Sequence, residues 1–148
     1  MTRLSLAILL IVVTVAAAQS TKPVDPTLYF RAKTNWKGRE KNLDPNAKKN
    51  SWPAHVKVIE RKGDKITFNF VTIADDGHKG VQLEGTLDDA GQIKARVTKI
   101  LPGDDWHETM VGAFFSGTVK EKTLTLNRKS HRGATLTSEL TLQGKDKD

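Results

Sequence analysis

"VQLEGTLDDAGQIKARVT", residues 81–98, contains two runs of strict alternation joined by four turn-forming residues. Val81, Leu83, Gly85 and Leu87 alternate with Gln82, Glu84 and Thr86. Beyond Asp88-Asp89-Ala90-Gly91, Ile93, Ala95 and Val97 alternate with polar neighbours that include Lys94 and Arg96. A period of two puts one set of side chains on each face of a strand. The stretch therefore reads as an antiparallel hairpin with one face in a core and the other in water.

The same period extends in both directions along the chain. "ITFNFVTI" (66–73) sets Ile66, Phe68 and Phe70 against Thr67 and Asn69, and "HVKVIER" (55–61) precedes it as a further strand. "TLTL" (123–126) offers Leu124 and Leu126. "ATLTSELTL" (134–142) offers Leu136, Leu140 and Leu142 against Thr135, Thr137, Glu139 and Thr141. Thr, Val, Ile and Phe suit a half-buried pleated surface. With a first strand over Thr34 to Asn42, seven or eight strands are expected, and no repeat or long helical period competes with them. Before that strand, Asp25 followed by Pro26 makes a cap and first-turn pair, so a short helical or irregular segment is expected there.

"MVGAFFSGTV" (110–119) reads as the sixth strand. Val111, Ala113, Phe115, Gly117 and Val119 share the expected inward face. Met110, Gly112, Phe114, Ser116 and Thr118 share the outer one. Phe114 beside Met110 then forms a small apolar patch, expected to be covered by the segment Leu28 to Phe30 or by a partner chain.

The first twenty residues, "MTRLSLAILLIVVTVAAAQS", combine one early cation, an apolar run from Leu6 and small residues at Ala16 and Ala18. They are the pattern of a secretory signal peptide cut near Ala18. Residues 1–18 are thus expected to be the signal, 19–33 an N-terminal extension, 34–143 the barrel domain and 144–148 a polar tail. The apolar run is shorter than the roughly 20 residues a membrane-spanning helix needs, so no span is expected after processing. With no cysteine in the chain, the exported domain must stand on its core, as suits the periplasm or the outside of a bacterial cell. Removing Arg3, the only charged residue of 1–18, lowers the formal net charge from +7 to +6. Solubility alone accounts for that surplus, and nucleic acid is not the expected partner.

Connections alternate between the two ends of a meander. "KGD" (62–64), "DDAG" (88–91) and "KEK" (120–122) are short, whereas Asp44–Pro53, Ala74–Lys79, Leu101–Trp106 and Arg128–Arg132 read as longer loops that all fall at one end. The expected fold is an all-β, antiparallel up-and-down barrel of about eight strands, with one tight end and one open end. In this arrangement the chain resembles the lipocalin-like, calycin-type small secreted barrels of bacteria. The resemblance rests on "TNWKG", "VKVIERKGDKITFNF", "EGTLDDAGQIKA", "FFSGTV" and "LTL". The family opens with Gly-x-Trp, usually with a disulfide and a C-terminal helix. Here the order is Trp36, Lys37, Gly38, with neither of the other features. The resemblance implies that Trp36 plugs the closed end, and says little about ligand or activity.

The sequence shows no phosphate-binding glycine loop, nucleophile elbow, helically spaced histidine pair or cysteine nucleophile. No cofactor is expected. His55, His78, His107 and His131 fall in or beside the long loops, where with Asp75, Asp76, Asp104 and Asp105 they could assemble a metal or acid-base site. Turns and solvated loops use the same residues, so an enzyme ranks third among the readings. Trp52 and Trp106 also sit in long loops, as hydrophobic lids or as stacking platforms. Glu40 and Glu60 share the phase of inward residues. A buried carboxylate is costly unless paired or wetted, so a bulge near Gly38 or a strand end is expected to turn both toward solvent. The leading expectation is a non-catalytic domain that binds a small apolar or amphipathic ligand in or at the open end, through Trp52, His55, His78, Trp106, His107 and His131. A surface module for protein or glycan is the alternative, favoured if the barrel is tightly filled by Phe68, Phe70, Phe115 and the leucines.

Overall fold

The computed structural model describes residues 25–104, 106 and 108–145. The expected signal peptide, residues 19–24 of the expected extension, Asp105, His107 and the last three residues lie outside them. Eight strands among the described residues form a closed antiparallel barrel in which each strand pairs with its neighbours in sequence and β1 with β8. They are β1 (Thr34–Asn42), β2 (Ser51–Lys62), β3 (Lys65–Ala74), β4 (Gly77–Leu87), β5 (Gln92–Ile100), β6 (Phe114–Lys120), β7 (Thr123–Lys129) and β8 (Thr135–Lys145). β8 carries the sheet two residues beyond the expected end of the domain. Among the described residues no helix is long and apolar enough to cross a membrane.

The alternation determines which side chains fill the barrel. Val56, Val58, Ile66, Phe68, Phe70, Leu83, Ile93, Phe115, Leu124, Leu126 and Leu140 are all buried in one continuous core. Closure brings backbones close together. At Gly38 a Cβ would overlap the carbonyl of Glu139 and the Cα of Leu140 on β8, so glycine lets the last strand meet the first.

The tight end is sealed from within by the N-terminal segment. The Asp25 carboxylate accepts hydrogen bonds from Thr27 N (2.8 Å) and Thr27 Oγ1 (2.7 Å), which starts the turn over residues 26–29. These bonds hold the Asp25 carboxyl below the usual carboxylate range. The turn delivers Phe30 into the core against Trp36 (centroids 6.0 Å) and edge-on to Phe68 (5.9 Å). Trp36 is fully buried and its Nε1 donates to Thr34 Oγ1 at 3.2 Å. Arg61 fastens the segment from outside, donating to the carbonyls of Thr27 (2.7 Å) and Phe30 (3.1 Å) and to Thr27 Oγ1 (2.9 Å).

Several local expectations are corrected. The stretch 110–119 is not one strand, because a 3₁₀ turn over Glu108–Met110 and a reversal at Gly112 (φ 86°) precede β6. The reversal breaks the phase: Met110 is buried and Val111 exposed, the opposite of the extended reading. Phe115 is inward and Phe114 outward, as alternation requires. Phe114 is 48% exposed beneath the Arg96 guanidinium (5.6 Å to its ring), and Phe30 packs in the core instead of covering it. Ala74–Lys79 is a two-residue turn at Asp75–Asp76, and Trp52, Pro53 and Arg128 belong to strands. A bulge between Val58 and Glu60 turns Glu60 outward as expected. Glu40 meets no such bulge and stays inside.

Candidate functional site

The open end is where the inward face changes from apolar to polar. Glu40 lies opposite Trp52 on β2 and Ser138 on β8. Continuing the phase of Leu124 and Leu126, β7 places Arg128 inward on the neighbouring wall. The two charges meet across the mouth: Arg128 Nε donates to Glu40 Oε2 at 2.9 Å and Nη2 to Oε1 at 2.6 Å. Ser138 Oγ lies 3.5 Å from Glu40 Oε2. The side chains of Arg128 and Glu40 are only 9% and 3% exposed, so this is a desolvated, bidentate ion pair.

Aromatic rings hold the guanidinium in place. Its Cζ is 5.0 Å from the centroid of Trp106 and 5.9 Å from that of Phe115. Trp106 in turn stacks on Phe70 at 6.2 Å with 18° between the planes. Trp106 thus closes the top of the core while its other surroundings stay open. Above it lies a cavity of about 620 Å³ lined by Trp106, Met110, Leu136, Arg128, Ser130 and His131 together with Thr109. A wider groove of about 900 Å³ adjoins it, shares Ser130, His131 and Leu136, and adds Leu43, Lys48, Lys49, Trp52 and Arg132. Lys49 is paired with Asp75. Lys79, register partner of buried Thr72, bonds Asp76 at 3.1 Å and holds that carboxyl below the usual carboxylate range. The mouth therefore combines an aromatic and aliphatic floor with a rim of charges.

Of the residues singled out from sequence, Trp52, Trp106 and His131 line this mouth. His107 lies outside the described residues. His55 and His78 do not join the site. His55 faces outward between Lys37 and Val71, and His78 is exposed opposite Ile73 on the outer wall. Asp104 sits over Gly80. Among the described residues no three His, Asp or Glu side chains converge as metal ligands would. Sequence reasoning missed Arg128 because it was assigned to a loop, although the Leu124–Leu126 period continues through it. It also sent Glu40 to solvent because its partner, 88 residues away, could not be seen.

These features define an eight-stranded up-and-down barrel with a filled interior and an ion-paired mouth. No protein-family model matches the sequence, and no curated protein matches it either. Among solved structures it is similar to a redesigned β-barrel, with a TM-score of 0.55 and 12% identity over 81% of this chain and 96% of the other. That likeness concerns the fold alone.

Proposed function

We propose that the protein is an exported, non-catalytic, lipocalin-like domain that binds a small amphipathic molecule at the open end of its barrel. The observation that carries this reading is the 620 Å³ cavity, where Trp106, Met110 and Leu136 meet Arg128 and His131. Pockets of this size with apolar walls and a few fixed polar groups are the usual form of small-ligand sites. The packed interior, with Phe68, Phe70 and Phe115 at 0–1% exposure, removes a carrier cavity inside the barrel and strengthens the surface-module alternative, so small-molecule binding is kept only for the rim. Export rests on the pattern of residues 1–18.

Native mass spectrometry of the freshly purified full-length protein tests the reading, with decanol titration followed by tryptophan fluorescence. A retained adduct or a saturable response, lost in Trp106→Ala while far-UV circular dichroism is unchanged, is the expected result. Absence of both an adduct and a saturable response overturns it. A surface module for protein or glycan is the second reading, supported by the filled core and by exposed Val111 and Phe114 at the start of β6. Expression in a bacterial host followed by N-terminal sequencing tests export, with Gln19 expected as the first residue.

A further inference from the structure

Arg128 has more to offer the mouth than its ion pair uses. It points inward from β7, directly opposite Phe115 on β6 and Leu136 on β8. Glu40 engages its Nε and Nη2, whereas Nη1 has no hydrogen-bond partner among the described residues. No fully buried side-chain nitrogen or oxygen among them lacks a partner, so Nη1 is reached from the cavity that Arg128 lines. The result is a guanidinium only 9% exposed, held by Glu40 and by two rings, with one nitrogen open to the space a ligand would fill.

The other polar side chains of the cavity are less free or less fixed. Ser130 Oγ accepts from the backbone N–H groups of Arg132 (3.3 Å) and Ala134 (3.0 Å) within its own turn. Thr109 has a partner of its own, and His131 is exposed. The apolar wall is Trp106 with the buried side chains of Met110 and Leu136. Because Leu136 pairs with Arg128 across the strands, an apolar chain laid on that wall brings a polar group within reach of Nη1.

We propose that Arg128 selects an uncharged amphiphile, whose amide, ester or ketone oxygen accepts the Nη1 N–H. The inference rests on the binding proposed for the mouth and names the ligand class. Glu40 is the positioning residue, because its bidentate bonds fix the guanidinium and cancel its charge. A ligand carboxylate at Nη1 would add a second negative group to a desolvated pair that is already neutral. A carbonyl oxygen accepts the same N–H and adds no charge. Lys48 and Arg132 are exposed residues of the adjoining groove, where solvent screens their charge. A ligand that covers Nη1 without any acceptor leaves that N–H unpaired.

Decanamide and decanoate test the proposal, being alike in chain length and head shape and different in charge. Each is titrated into the full-length protein at pH 8 beside decanol, followed by tryptophan fluorescence. The free ligands differ in hydration, so the comparison is made between variants. Glu40→Gln removes the counter-charge of the guanidinium and should move the decanamide-to-decanoate affinity ratio about tenfold toward decanoate. Arg128→Lys keeps a cation for Glu40 without the guanidinium fork and should weaken decanamide about tenfold, with far-UV circular dichroism unchanged. In the wild-type protein, the Arg128 guanidinium NMR signals should shift saturably with decanamide, a readout that needs neither variant to fold. An affinity ratio unmoved by Glu40→Gln, decanamide affinity unchanged in Arg128→Lys, or guanidinium signals unmoved at saturating decanamide overturns the inference. With saturable decanol binding, such a failure counts against the inference alone. No saturable response to any of the three ligands overturns the binding proposed for the mouth as well.

Discussion

Arg128→Met leaves the Glu40 carboxyl group, 3% exposed, without its counter-ion. Breaking a buried pair by removing one partner costs about 3–5 kcal/mol, because the remaining charge stays desolvated. Two hydrogen bonds, at 2.6 and 2.9 Å, and the cation contacts over Trp106 and Phe115 go with it. Against a total stability of about 5–15 kcal/mol for a domain of this kind, that is a large fraction. With a urea slope of about 1–3 kcal/mol per molar, the denaturation midpoint should fall by roughly 2 M. Urea titration followed by far-UV circular dichroism and tryptophan fluorescence measures it. The companion variant, Glu40→Leu with Arg128→Met, replaces both charges by apolar groups and should recover most of the loss. A loss below about 1 kcal/mol in the single variant, the range of exposed ion pairs, would refute the desolvated pair. A double variant no more stable than the single would place the cost in the packing of the guanidinium between rings instead.

Gly38→Ala should prevent proper closure of β1 on β8, since its new Cβ meets backbone that cannot swing away. Loss of the cooperative thermal transition, or a cost above the usual overpacking range of about 1–3 kcal/mol, is expected by calorimetry. Arg61→Ala removes three bonds to the Thr27–Phe30 turn. Amide exchange should accelerate at residues 28–31 first, while the strand amides stay protected. Because burial, and then the charges of Lys37 and His78, hold His55 below its ordinary value, the unfolded chain binds more protons there than the folded one. Its contribution is therefore fully present above about pH 6.5 and is lost as pH falls through the folded midpoint. His55→Gln should flatten that part of the stability profile, as read by denaturation at pH 7 and pH 5.

Alternation alone made most of the barrel legible, because an inward side chain every second residue needs only local sequence to be recognised. Phe115 could be assigned inward and Phe114 outward on that basis, whereas the first strand was placed at Thr34–Asn42 because an earlier start would leave an unusually long loop before Pro53. The turn at Asp25–Pro26 was readable for a similar reason, since its hydrogen bonds span only two or three residues. Where the period met turn-forming residues, legibility failed. Asp75 and Asp76 suggested a loop longer than the two-residue turn they make, and Gly112 reversed a chain that pattern alone extended through Met110.

The mouth shows the same division. Trp52, Trp106 and His131 were identifiable because the long loops were expected to hold them, although Trp52 proves to belong to β2, yet His55 and His78 were drawn to the rim by proximity in sequence and stand on the outer wall. Sequence by itself determined the alternating strands, the sense of the hairpins and the absence of any disulfide. Only the tertiary structure decided that Glu40 remains inside with Arg128 and that Trp106 lids the core. Each of those depends on closing a sheet across many tens of residues, where one bulge or its absence decides which face a side chain takes.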